Sequence, residues 1–318
     1  LHALRRGGRW IHRKRTAADG REPHAGLLPA GFSAEHFGPN DYYYWDDFWA
    51  VAGLECAASM CEFEQQPQAA TRFADKARQL RTSIDRSLTT VAERIRSGAI
   101  PVSPYRRMDS GAVGSLACGY PLQVFGARDK RLLATADYLM DHCRFKEGFF
   151  LDISHSGINA YLTLHLAQVL LRAGDLRHLE LAYTLRRLAT PTGQWPEAIH
   201  PRTEGGCMGD GEHIWAAADW VVYLRNCLVY EEESSQRLVL GAGIAPSWIR
   251  QDETLRIGPA PTLWGTVNVR FECGENTVRV VCEGTWHDAA PQLLVRIPGY
   301  RQTTIHPPDI ETTVTEEG

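Results

Sequence analysis

Residues 68–97 read QAATRFADKARQLRTSIDRSLTTVAERIRS. Phe73, Ala77, Leu80, Ile84, Leu88, Val91 and Ile95 follow one another by three or four positions. That spacing draws a single apolar stripe down one face of a helix. Pro67 stands where a helix can begin, and Gly98 where one can end. A stripe this long needs a partner surface, so the stretch predicts a helical packing unit and excludes strands here.

The same period continues on both sides. Helices are expected at about 42–62, 129–142, 157–172, 176–188 and 209–230. Gly174-Asp175 supplies a C-terminal glycine and then an N-cap. Between the helices lie long polar, aromatic loops at 99–112, 144–156 and 190–212. After the acidic run Glu231-Glu232-Glu233 the periodicity shifts from 3.6 to 2. Alternating stretches at 254–257, 265–272, 277–283 and 292–297 are punctuated by Gly274-Glu275-Asn276, Gly284 and Pro298-Gly299. The chain therefore divides into a loop-rich entry segment (1–40), an α/α-hairpin domain (41–235) and a C-terminal β-sandwich-like module (236–318). The fold class expected is mainly α, a toroid of helical hairpins followed by a small antiparallel β module.

The 318 residues are 44% hydrophobic and 23% charged, with net charge −4 and pI near 6.3. That balance gives no drive toward nucleic acid or an anionic membrane. No apolar run reaches the ~18–20 residues a membrane span needs. The eight cysteines form no CxxC pair, and none of the histidines stands in an HxH or HExxH spacing. No metal and no cofactor is expected, and the thiols read as reduced, which places the chain in the cytoplasm. The chain opens on Leu1 and carries seven Arg or Lys in residues 1–22 with no apolar stretch among them. This is not a secretory signal, and it reads as a start inside a longer protein.

Two constellations could carry chemistry. The first is Asn40-Asp41-Tyr42-Tyr43-Tyr44-Trp45-Asp46-Asp47-Phe48-Trp49, where six of the eight residues from 42 to 49 are aromatic. Aromatic faces stack on sugar rings, and carboxylates bond sugar hydroxyls or move protons. A carboxyl walled by tryptophan is desolvated, which raises its pKa toward an acid useful near neutrality. A helix start with acids at its positive end explains the same residues without a function. The second is Gly193-Gln194-Trp195-Pro196-Glu197-Ala198-Ile199-His200-Pro201-Arg202, followed by Gly209-Asp210-Gly211-Glu212-His213-Ile214-Trp215. An acid flanked by Trp, His and Arg on a loop more often serves a site than a core. The plain alternatives are that Asp210 caps the next helix and Arg202 pairs with Glu197. Asp152-Ile153-Ser154-His155-Ser156 is no nucleophilic triad by spacing and reads as a capping loop. The loop Pro104–Ser110 reads as capping and pairing.

Together the two constellations resemble the six-hairpin glycosidases, the (α/α)6-barrel enzymes that include glucoamylases and glucodextranases. In glucoamylases the glutamate directly after Trp in Tyr-Asp-Leu-Trp-Glu-Glu is the general acid. Tyr43-Tyr44-Trp45-Asp46-Asp47 has that shape with Asp in place of Glu. The resemblance implies Asp46 as acid and Asp47 as its substrate-binding neighbour. Trp195-Pro196-Glu197-Ala198 stands where the family carries its base, with Ala198 in place of the family's glutamine. It implies Glu197 as catalytic base, with Tyr44, Trp45, Trp49, Trp195, His200 and Arg202 around a carbohydrate. It covers residues 26–230 and implies the C-terminal part of a barrel. The activity implied is glycoside hydrolysis by two carboxylates, with inversion. A related disaccharide phosphorylase, a non-catalytic carbohydrate-binding remnant and, more weakly, a polysaccharide lyase are the alternatives.

Overall fold

The computed structural model describes residues 2–32 and 40–300. Gly38-Pro39 of the entry segment and residues 301–318 of the expected β module lie outside the described residues. Seven α-helices are described: α1 (His2–Lys14), α2 (Tyr44–Phe63), α3 (Pro67–Ile95), α4 (Lys130–His142), α5 (Ala160–Ala173), α6 (Arg177–Leu188) and α7 (Ile214–Leu228). A 3-10 helix at Ser110–Cys118 stands between α3 and α4.

The expected helices are present. In α3 the residues of the stripe from Phe73 to Val91 are buried, so the period read from 68–97 is the packing face. The helix stops at Arg96, which adopts a left-handed conformation (φ 52°) and donates its N–H to Ala92. Gly98 lies two residues further on. Gly174 (φ 82°) ends α5 by donating to Leu170 and Leu171. Asp175 then accepts from the Arg177 N–H at 2.9 Å at the start of α6. The entry segment departs from expectation. His2–Lys14 is a helix packed on α2, with Gly8 against the Phe73 ring of α3. Gly8 there marks a close helix contact and not a loop.

The helices form two layers. α2, the 3-10 helix, α5 and α7 pack one against the next as an inner layer. The outer elements α3, α4 and α6 back α2, the 3-10 helix and α5 in turn. α5 is buried along almost its whole length, as the middle of an inner layer must be. Tyr161 in the first turn of α5 meets Trp215 in the first turn of α7, with ring centroids 4.7 Å apart. Gln168 and Asn226 meet near their far ends at 3.1 Å. The two helices are therefore parallel, and their N-termini share one rim.

Five very short strands lace the rim loops together: β1 (Arg144–Phe145), β2 (Gly148–Leu151), β3 (Gly157–Ile158), β4 (Ala198–Ile199) and β5 (Gly206–Met208), in that order across the sheet. The antiparallel bridge Ile158–Ile199 brings the 144–158 loop beside the 190–212 loop.

The C-terminal module holds two three-stranded sheets. In one, β8 (Thr254–Thr262), β9 (Gly265–Cys273) and β10 (Val278–Trp286) run antiparallel. In the other, β6 (Val229–Glu232) and β7 (Arg237–Leu240) form a hairpin, and β11 (Gln292–Val295) pairs with β7 in parallel. Val229, Leu238, Leu240, Val267, Val269 and Phe271 form its core. The strands of this module thus begin at Val229, and the acidic run ends β6 and enters the turn of its hairpin at Glu233.

Candidate active site

α2 starts at Tyr44, whose N–H donates to Val102 at 3.1 Å. One helical turn separates Trp45 from Trp49, so their rings meet at 5.5 Å. Trp45 lies over Gly114 of the 3-10 helix. Trp49 is exposed. Adjacent positions on a helix face different ways, and that separates the two aspartates. Asp46 is half-exposed beside Trp45. Partial burial pushes its carboxyl pKa up. Asp47 is 1% exposed. Its Oδ1 accepts the Leu28 N–H at 2.9 Å, while its Oδ2 is buried without a hydrogen-bond partner. Burial pushes Asp47 up to about 8.

Asp47 therefore fastens residues 26–28 to α2 and does not face solvent. Its burial has a consequence for stability. The unfolded chain releases this proton near pH 4, whereas the folded protein holds it until about pH 8. The stability from the neutral form is complete below pH 4, falls steadily between pH 4 and 8, and is gone above that. Asp47→Asn keeps the acceptor for Leu28 and removes the charge. Thermal or urea melts are expected to show the variant level with the parent at pH 4.5 and about 2–4 kcal/mol more stable at pH 8.5. A difference that does not change with pH would contradict the assignment.

Other expected substrate-binding residues are also in the core. Tyr44 is fully buried, its hydroxyl 2.7 Å from the Ser87 hydroxyl. Trp195 is 3% exposed, donates its ring N–H to the Leu185 carbonyl at 2.8 Å and packs on Trp220. His200 accepts the backbone N–H groups of Arg202 and Thr203 at 3.2 Å, which closes the β4–β5 turn. Arg202 is exposed, and among the described residues no ion pair joins it to Glu197. Asp210 does not cap α7, whose N-cap residue is His213. Sequence spacing places Trp195, His200 and Arg202 beside Glu197, but the turn and the helix packing take them elsewhere.

Glu197 itself is held on several sides. Its N–H donates to the Asp210 carbonyl at 2.9 Å. Its carbonyl accepts from Asn159 Nδ2 at 3.0 Å. Its Oε1 lies 3.2 Å from His155 Nδ1. On the other side Gly209, at φ 71°, has its backbone against the carboxyl, and a Cβ there would fall 1.9 Å from Oε2. Glycine is required at 209 for both reasons. Gly209→Ala is expected to leave the helices intact by circular dichroism and to lower stability in urea or thermal melts by about 1–3 kcal/mol, from the strained backbone and the displaced carboxylate. Unchanged stability would show that a side chain is accommodated at 209 without displacing this carboxylate.

His213 Nδ1 lies 3.3 Å from both Asp210 oxygens. Glu197, Asp210 and His213 bring ligand atoms within 4.8 Å of one another, and among the described residues they are the set able to hold a cation. Trp215 is 43% exposed beside Tyr161 and His213, an aromatic surface on the same rim. Its signal in sequence was the Asp210-His213-Trp215 run leading into α7.

A chain of contacts runs from the start of α2 to Glu197. Trp45 touches the 3-10 helix. The first residue of that helix, Ser110, bonds Asp152. Asp152 and His155 share a loop, and His155 reaches Glu197. Asp41, at the entrance to α2, is taken up by Ser103 at 2.8 Å and Arg106 at 3.1 Å. Arg106 is thus a fastening of the rim, as the Pro104–Ser110 loop suggested.

No sequence-family model and no curated protein matches the chain. Solved structures do. A GH78 family rhamnosidase of Bacillus sp. GL1 superimposes with a TM-score of 0.53 at 15% identity, over 94% of this chain and 30% of that one. A bacterial glucoamylase complexed with acarbose gives 0.46 at 15% identity, over 58% and 33%. A glycosidase point variant gives 0.46 at 16% identity, over 62% and 54%. The chain spans about a third to a half of the length of these structures. The match to the rhamnosidase shows a six-hairpin glycosidase-like fold. Among the described residues no helix is long and apolar enough to cross a membrane.

Proposed function

We propose that this chain carries the two-carboxylate site of a glycoside hydrolase, with Asp46 as general acid and Glu197 as general base. The observation that supports this reading is the contrast between the surroundings of the two carboxyls. Asp46, next to Trp45 in the first turn of α2, is half-buried, and burial raises its pKa. Glu197 lies against an imidazole and a glycine backbone. Glycoside hydrolysis needs one carboxyl that gives a proton and one that accepts a proton from water. Asp47, the other candidate acid, is enclosed and lacks access to a substrate. Trp45, Trp49 and Trp215 offer the apolar faces that sugar rings stack on. The rhamnosidase that shares the fold is a glycoside hydrolase by name, in keeping with this chemistry.

Glu197 also favours water over phosphate as the acceptor, since a phosphorylase needs no base. The test is turnover of a panel of aryl glycosides and oligosaccharides by the purified chain, with and without phosphate. Free sugar is expected without phosphate, and none from an Asp46→Asn, Glu197→Gln double variant that still binds the substrate. A requirement for phosphate would replace hydrolysis with phosphorolysis. Binding without turnover in the parent chain would make it a carbohydrate-binding module.

A further inference from the structure

We propose that His155 is the positioning residue of the Glu197 carboxylate, holding it in the one orientation from which it activates the attacking water. The inference rests on the reading of Glu197 as base. Four observations support it. His155 Nδ1 lies 3.2 Å from Glu197 Oε1. The His155 side chain is one-third exposed, so core packing is not what keeps a histidine at this position. Its backbone adopts φ 45°, a left-handed conformation that glycine would take at lower cost. Strain of this kind persists where the surroundings enforce it, and it gathers at functional sites. The surroundings here include one fully buried side chain. Asn159 Nδ2 donates to the His155 carbonyl at 3.4 Å and to the Glu197 carbonyl at 3.0 Å. One amide therefore ties the two loops together, and the Ile158–Ile199 bridge sets their register.

The carboxylate is gripped between unlike neighbours. Oε2 faces the Gly209 backbone, where no side chain fits. Oε1 faces the imidazole. The imidazole on one side and the glycine backbone on the other restrict the Glu197 carboxylate, and orientation is what a base aimed at a water requires. At 3.2 Å the two groups are at ion-pair distance.

The experiment measures kcat and KM for His155→Leu, His155→Asn, His155→Gly and Glu197→Gln on whichever aryl glycoside the chain cleaves. Asn presents an N–H close to the place of Nδ1. Leucine is expected to lower kcat about 30- to 100-fold with KM within about threefold. Asparagine is expected to recover kcat to within about fivefold of the parent. Because φ 45° suits asparagine better than leucine, His155→Gly is the backbone control: glycine takes that conformation most easily, so a merely structural histidine would let it keep full kcat, whereas a positioning histidine would leave it as low as leucine. Full activity in His155→Leu or His155→Gly, or equal losses in Leu and Asn, overturns the proposal. If Glu197→Gln is inactive while His155→Leu is fully active, only the positioning role fails. If Glu197→Gln is itself fully active, the base assignment fails, and this proposal with it.

Discussion

Glu197→Ala is expected to lower turnover by about 10³-fold, within the 10²–10⁴ range for loss of a positioned base, and to regain part of it with azide. The expectation follows from the surroundings of Glu197. The carboxylate is wedged between Gly209 and His155 on a short strand-linked loop. Removing it leaves a hole at the place from which water is activated. A small anion that needs no base fits there and attacks the sugar itself. The product is a glycosyl azide whose anomeric configuration is opposite to that of the substrate. A glycosyl azide of retained configuration would make Glu197 the acid of a retaining pair. Full activity of Glu197→Ala without azide would leave it a loop fastening only.

Asp46→Asn is expected to divide substrates by leaving group. Turnover of natural glycosides should fall about 10²- to 10⁴-fold, because the departing sugar oxygen needs a proton. Aryl glycosides with very acidic phenols leave without help and should keep most of their rate. Partial burial already biases Asp46 toward its protonated form. The contrasting control is Asp47→Asn, which changes stability with pH and leaves this leaving-group dependence alone. Equal loss on both kinds of substrate would show Asp46 acting in binding or structure and not as the acid.

Much of the fold was legible in the sequence for a plain physical reason. Long amphipathic helices advertise their buried face, and α3 buries the stripe that its spacing predicts. The β module was legible from alternation and turns. The short strands were not. β3 and β4 are two residues each, too short for a period, yet their bridge joins the loops of the site. The helix at His2–Lys14 was hidden by two glycines, which usually signal a loop.

At the site, residue types were legible but orientations were not. Asp46 and Asp47 are adjacent and chemically equal in sequence. Only the helix phase puts one toward solvent and the other beneath Leu28. Trp195 stands two residues from Glu197, yet on an extended turn that spacing says little, and its ring fills the space between α6 and α7. His155 went unassigned because its partner lies far along the chain and comes close only through the rim strands. Gly209 carried a readable clue, a glycine in a run otherwise rich in site residues, but its role depends on a carboxylate twelve positions earlier.

The separation of the two carboxyls decides the stereochemistry. For a water to sit between base and sugar they must stand roughly 6.5–9.5 Å apart, against roughly 5–5.5 Å for a retaining pair. The most direct measurement is proton NMR of the first sugar released from an aryl glycoside, recorded before mutarotation. The anomeric signal is expected to be that of the configuration opposite to the substrate's. A first-formed sugar of the same configuration as the substrate would contradict the roles assigned to Asp46 and Glu197.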